Sequence, residues 1–287
     1  MANWASEMLF WSAPPADFSL GDHLLTVVAY AGAAGLAVSA IGWSGLHGFR
    51  AAFLGGALMG FTVEGVIVGT MYDAFPFQLV WTPLSWHALV SGVLVIGVGR
   101  AGARLGPLRL ALYWAGLGAV LAFWAQGWPN ERADLPGLGP VLAYLAGLGL
   151  VVPLAQAVLD RIGTLPRPNR WVALLLPAVA ALLWFLTFLA APSPVRLAGP
   201  ALILLTVWIA GRLGDRGSVP LGPPPGRLWH HGLVLIAPVT MALLAVPGWQ
   251  AFGGLPSHLI LAVLSSCGAL GWYLALLVYA IRARRAP

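Results

Sequence analysis

One carboxylate stands inside a long apolar run: Glu64, within Phe49–Thr70. It lies six residues before the end of that run, which at 1.5 Å per residue places it roughly 9 Å beneath a membrane boundary. A carboxylate in hydrocarbon costs on the order of 3 kcal/mol or more and therefore faces a bundle interior or a cavity. Burial disfavours a charged carboxylate in general, and a protonated one is what a general acid or a proton carrier needs. The structural alternative is a neutral Glu hydrogen-bonded to a neighbouring helix. His87, in Trp81-Thr82-Pro83-Leu84-Ser85-Trp86-His87 with Ser91 one turn further along, lies roughly 5 Å beneath the same boundary if its helix starts near Pro83. Its imidazole could exchange a proton with the Glu64 site, bind a metal or hydrogen-bond a head group. Its plainer role is a place in an aromatic belt beside Trp81 and Trp86.

Other polar groups share this level. Asp22 and His23 open the first apolar run, Tyr72 and Asp73 follow the second, Gln126 closes the fourth, and Ser257 and His258 open the ninth. Acid and imidazole converging at one depth mark a candidate site. Glu64, His87 and Asp73 form its candidate catalytic set, with Glu64 as general acid and His87 as partner base. His258, Tyr72, Trp81, Trp86 and Gln126 form the candidate substrate-binding set, and Trp124 and Trp128 extend a flat apolar wall. A second polar group, His47, Asn169, His230 and His231, lies beside Arg-rich loops and suits phosphate contact or an interfacial place. Six His residues near helix ends are poorly placed for haem, whose ligands lie deeper. No metal-ligand set is assigned, and the residues name no cofactor.

The elements that must carry these residues follow from composition. Of 287 residues, 60% are apolar and 8% charged, with a mean hydropathy of +0.86. A soluble domain carries about 25% charged residues, so the solvent of this chain is a bilayer, which each helix crosses in about 20 residues. Nine runs fit: Leu20–Trp43, Phe49–Thr70, Pro83–Ala103, Leu108–Gly127, Gly139–Leu159, Trp171–Ala191, Leu197–Leu213, Leu228–Val246 and Ser257–Ile281. The seventh is the shortest and could be tilted or partly re-entrant. Gly56-x-x-x-Gly60 and Gly65-x-x-x-Gly69 give the second run the small-residue spacing of close helix packing. The fold class expected is therefore all-α: a polytopic transmembrane helix bundle of about nine spans.

Charge placement orients it. All 15 basic residues are Arg. Nine spans put every Arg except Arg132 and Arg196 on one side, and that excess marks the cytoplasmic face. The N-terminus is then outside and the C-terminus cytoplasmic. Residues 1–19 lack a positive segment and so are not a signal peptide. Trp4, Phe10, Trp11 and Phe18 suggest a stretch at the membrane interface. Residues 20–287 form one transmembrane helical domain, with a Pro/Gly-rich cytoplasmic linker at 215–227. The lone Cys267 excludes an intramolecular disulfide and reads as a small buried packing residue.

Absent motifs narrow the function. There is no His-Glu-x-x-His, phosphate-binding loop or Gly-x-Ser-x-Gly elbow. No lysine exists to hold retinal, and no basic domain face exists for nucleic acid. Glu64-Gly65-Val66-x-x-Gly69 followed by Pro83-Leu84-x-Trp86 resembles, over positions 64–86 alone, membrane enzymes of carotenoid biosynthesis. The leading expectation is an integral membrane enzyme acting on an isoprenoid, lipid or lipid-linked substrate by acid–base chemistry in the outer half of the bilayer. A non-catalytic subunit binding a cofactor, pigment or partner membrane subunit is one alternative, and a proton-coupled transporter is another. The expected partners are membrane lipids, and the expected location is a bacterial cytoplasmic membrane.

Overall fold

The computed structural model describes every residue except Phe18, Pro166, 223–227 and 284–287, and of Ala103 the backbone alone. Phe18, Arg227, Arg284 and Arg285, which entered the interface and charge arguments above, lie outside the described residues. Among the described residues, nine helices are long and apolar enough to cross a membrane. They are α1 (Leu20–Ser44), α2 (Gly48–Ile67), α3 (Phe77–Ala101), α4 (Pro107–Asn130), α5 (Leu138–Ile162), α6 (Arg170–Ala190), α7 (Pro194–Leu213), α8 (Leu228–Phe252) and α9 (Ser257–Arg282). The chain is an all-α polytopic membrane protein. Its only described strands are the two-residue β1 (Thr164–Leu165) and β2 (Val219–Pro220), paired antiparallel.

Each of the nine expected runs has its helix, and the boundaries move for local reasons. The second span stops at Ile67 rather than Thr70 because Gly69 takes a left-handed conformation, φ +90°, which a helix cannot continue through. The third begins at Phe77, before Pro83, and winds through Trp81–Gly97 in the wide i→i+5 pattern. The eighth runs past Val246 through Pro247 to Phe252. The seventh is a continuous helix of 20 residues.

The contacts divide the chain into two compact units: residues 1–24, 98–163 and 222–264, and residues 25–97, 164–221 and 265–287. In the second of these, α2 lies against α3 with almost no space between backbones. A methyl group on Gly56 would collide with the His87 carbonyl, and one on Gly60 would fall 2.7 Å from Pro83 Cα. One on Gly92 of α3 would fall 2.5 Å from the Ala52 carbonyl oxygen. The Gly56-x-x-x-Gly60 spacing thus faces α3, and dispersion across that contact substitutes for the hydrophobic drive that lipid removes. Phe53, Leu54, Ala57 and Phe61 of α2 are fully buried around it. By contrast, no residue of α6 is buried, and its apolar side chains are those a lipid-facing helix requires.

In the other unit, α4 packs on α8, where a methyl on Gly118 would strike the Ala237 carbonyl. The N-terminal segment, expected at the interface, is enclosed here. Trp4, Ala5, Met8 and Leu9 are buried. The Trp4 indole donates to the Leu145 carbonyl at 2.8 Å, Trp124 to the Phe10 carbonyl at 2.9 Å, and Trp128 to Ser12 Oγ at 2.9 Å. Indole N–H groups that would be unsatisfied in hydrocarbon find acceptors across the contact between the segment and the helices, which favours docking. Cys267 differs from its expectation: it is exposed on α9, where a thiol tolerates lipid as well as it tolerates a protein interior.

Candidate functional site

Glu64 and His87 meet. Glu64 lies in Val63–Ile67, the last turn of α2, which opens into i→i+5 winding, and His87 lies in the wide stretch of α3. Such windings recur at functional sites because they turn side chains out of the regular helical register. His87 Nε2 stands 2.8 Å from Glu64 Oε1. The Thr70 hydroxyl donates to Glu64 Oε2. The side chains are 12% and 3% exposed, so the pair is shielded from water. The close approach of α2 and α3 fixes the distance, because the His87 Cβ packs where a methyl on Gly60 would be only 2.8 Å away. The Tyr30 ring lies 6.0 Å from the imidazole.

The other imidazole nitrogen is left over, as it is in His230 and His258. His87 Nδ1 is buried and has no hydrogen-bond partner among the described residues. Buried polar atoms are nearly always paired, because desolvation without compensation costs about 1–3 kcal/mol. With Nε2 committed to the carboxylate, Nδ1 is the atom left to take or give a proton. This is the arrangement by which a carboxylate orients an imidazole and stabilises its charged form.

Around the pair, Tyr72 donates to the Gly65 carbonyl at 2.7 Å and also lies 3.2 Å from the Arg196 carbonyl. Tyr72 sits between α2 and α3. Burial pushes its phenol above the usual value, against the opposing pull of the Arg196 charge. Trp81 and Trp86 are buried, with ring centres 6.5 Å apart, and supply apolar wall on α3. Asp73 is exposed and has no side-chain partner among the described residues, so the structure does not join it to Glu64.

His258 and Gln126 belong to the other unit. His258 Nε2 lies 3.6 Å from Glu131 and its ring 6.0 Å from Trp124. Gln126 is buried and donates to the Ala122 and Ala245 carbonyls, each at 3.3 Å. Trp124 and Trp128, expected in the wall, hold the N-terminal segment as described above.

That unit also contains a cluster the sequence reasoning missed. Asp160 near the end of α5 pairs with Arg100 Nη1 and with His231 Nε2, both at 2.6 Å. Arg100 also donates to Gln156 Oε1 at 3.1 Å. The three ionised or ionisable side chains are 12%, 7% and 3% exposed for Arg100, Asp160 and His231. One cation, one anion and an imidazole with a single acceptor to serve make a balanced set, which reads as a clamp. The available signal was the scarcity of acids among the Arg residues of that side, where Asp160 and Asp215 are the two. His231, expected beside phosphate or at the interface, is committed to this carboxylate.

Among the described residues no group of three His, Cys, Asp or Glu side chains is gathered as a metal site requires. The geometry of the Glu64–His87 pair, with both carboxylate oxygens engaged and one buried imidazole nitrogen unengaged, suits proton transfer. Comparison of the chain with known proteins finds no matching family model, no matching curated protein and no matching solved structure.

Proposed function

We propose that this protein is an integral membrane enzyme that moves a proton to or from a lipophilic substrate, with Glu64 and His87 as its acid–base pair. The observation that carries the reading is the 2.8 Å contact between Glu64 Oε1 and His87 Nε2, inside apolar helices and with Nδ1 of the same ring unpartnered. Two ionisable groups within a membrane bundle are costly, and such groups mark functional sites. His87 Nδ1 faces the reacting atom in this account. Glu64 holds the ring through Nε2 and stabilises the imidazolium that forms when Nδ1 takes a proton. Thr70 holds the carboxylate in turn. The substrate class is an isoprenoid, lipid or lipid-linked molecule, since the exposed surface of the spans is almost wholly apolar and a ligand reaches the pair from the bilayer.

The test uses the full chain in liposomes made from a total bacterial lipid extract, in water labelled with both deuterium and oxygen-18. After exchangeable deuterium is washed out, carbon-bound deuterium reports protonation at carbon, and oxygen-18 reports addition of water or hydrolysis. The wild type is expected to label at least one lipid species, and Glu64→Gln to leave it unlabelled. A wild type that labels nothing beyond the Glu64→Gln background overturns the reading.

A further inference from the structure

Arg196 is held by its backbone and by one aromatic ring. It lies in the first turn of α7, and with Arg132 it is one of two Arg residues on the Arg-poor side. Arg132 is accounted for: it faces Asp134 at 3.8 Å and donates to the Ala13 and Pro14 carbonyls. Arg196 is half-buried, yet among the described residues its guanidinium has neither a carboxylate nor a carbonyl acceptor. Five N–H donors on a permanent cation are left unused.

Its backbone, meanwhile, is firmly placed. The Arg196 carbonyl accepts from the Trp184 indole at 3.1 Å and lies 3.2 Å from the Tyr72 hydroxyl. The guanidinium lies over the Tyr72 ring, 5.2 Å from its centre, a cation–π contact that uses none of its N–H donors. The residues beneath it flank Glu64. Tyr72 bonds the Gly65 carbonyl, Arg196 Nη2 approaches to 3.8 Å of where a Gly69 methyl would sit, and the next residue, Thr70, bonds the Glu64 carboxylate. All of these belong to one compact unit.

We infer that Arg196 binds the phosphate head of an amphiphilic, lipid-linked substrate whose chain reaches the Glu64–His87 pair. This rests on the enzyme reading above and narrows its substrate class. A planar, weakly hydrated guanidinium with a free edge matches phosphate oxygens two at a time. An immobilised ring and carbonyl beneath it lower the entropy lost on binding. The head group is held at the membrane surface by Arg196, and the apolar chain lies along the helices towards His87.

The experiment is native mass spectrometry of the full chain in detergent, titrated with farnesyl phosphate, farnesol, inorganic phosphate and dioleoyl phosphatidylglycerol. Wild type is expected to bind farnesyl phosphate at least about tenfold more tightly than farnesol, a difference of ~1.4 kcal/mol. Arg196→Gln is expected to bind the two equally, Arg196→Lys to keep part of the difference, and Glu64→Gln to keep it all. Equal binding of phosphate and alcohol by the wild type overturns the inference, as does a preference that survives Arg196→Gln. Equal, Arg196-dependent binding of phosphatidylglycerol makes the contact one with bulk lipid and also overturns it. So does equal binding of inorganic phosphate, which makes the site one for the free ion. Because binding is read without turnover, loss of the enzyme reading leaves these outcomes distinct from it.

Discussion

Replacing Gly60 by alanine places a methyl group 2.7 Å from Pro83 Cα and 2.8 Å from His87 Cβ. Ordinary contact begins at 3.4 Å, so α3 must retreat by about 0.7 Å, the difference of 3.4 and 2.7. Neither atom belongs to a flexible side-chain end, and the retreat is therefore a movement of helix backbone. Directed along the Glu64–His87 bond, it lengthens the 2.8 Å contact towards about 3.5 Å, outside hydrogen-bond range. Overpacking of this size costs about 1–3 kcal/mol, and misplacement approaching 1 Å costs up to about a hundredfold in rate. Gly60→Ala is expected to lower the unfolding midpoint in detergent and to reduce solvent-label incorporation by about tenfold or more. The control is Gly32→Ala in α1, where nothing lies within 4 Å. There alanine improves helix propensity by up to about 1 kcal/mol and leaves incorporation unchanged. Equal midpoints and equal incorporation for Gly60→Ala, Gly32→Ala and wild type would refute the claim that this helix contact sets the catalytic distance.

Two further outcomes follow from the same structure. Asp160→Asn removes the anion that Arg100 and His231 share, and loss of a charged hydrogen-bond partner costs about 1–3 kcal/mol. Equilibrium denaturation in mixed micelles is expected to show that loss, with partial recovery in the Arg100→Gln, Asp160→Asn double variant. Tyr72 keeps its proton in the folded protein to a higher pH than an ordinary phenol. Its contribution to stability is thus complete below about pH 10 and declines as pH rises through the folded value. Melting curves between about pH 9 and pH 11 should show this alkaline decline in wild type and a shallower one in Tyr72→Phe.

Depth along a helix was readable from the sequence, and lateral position was not. Nine runs of bilayer length, short Pro- and Gly-rich connections and an Arg-poor side follow from hydropathy and charge, because the membrane imposes one coordinate on every helix. Glu64 and His87 could be set at one level by counting residues from their helix ends. The Gly56-x-x-x-Gly60 spacing also pointed to a close neighbour, and that neighbour is α3, which carries His87. Which helices are neighbours depends on packing that hydropathy does not encode. Arg100, Asp160 and His231 are far apart in sequence, and nothing in their spacing joins them. The docking of Trp4–Trp11 was hidden for a related reason: an apolar, aromatic segment suits an interface as well as a groove. Cys267 shows the same limit on a smaller scale, since in lipid an exposed and a buried small apolar side chain are not distinguished by polarity.

The central claim is that Glu64 and His87 work as one unit. The most direct test is the rate of solvent-label incorporation in Glu64→Gln, His87→Gln and the double variant, each first checked for an unfolding midpoint near that of wild type. Groups that act together are not additive. The account predicts that either single change removes nearly all incorporation and that the second change costs nothing more. Independent losses that multiply in the double variant, or incorporation that persists in Glu64→Gln, would contradict it.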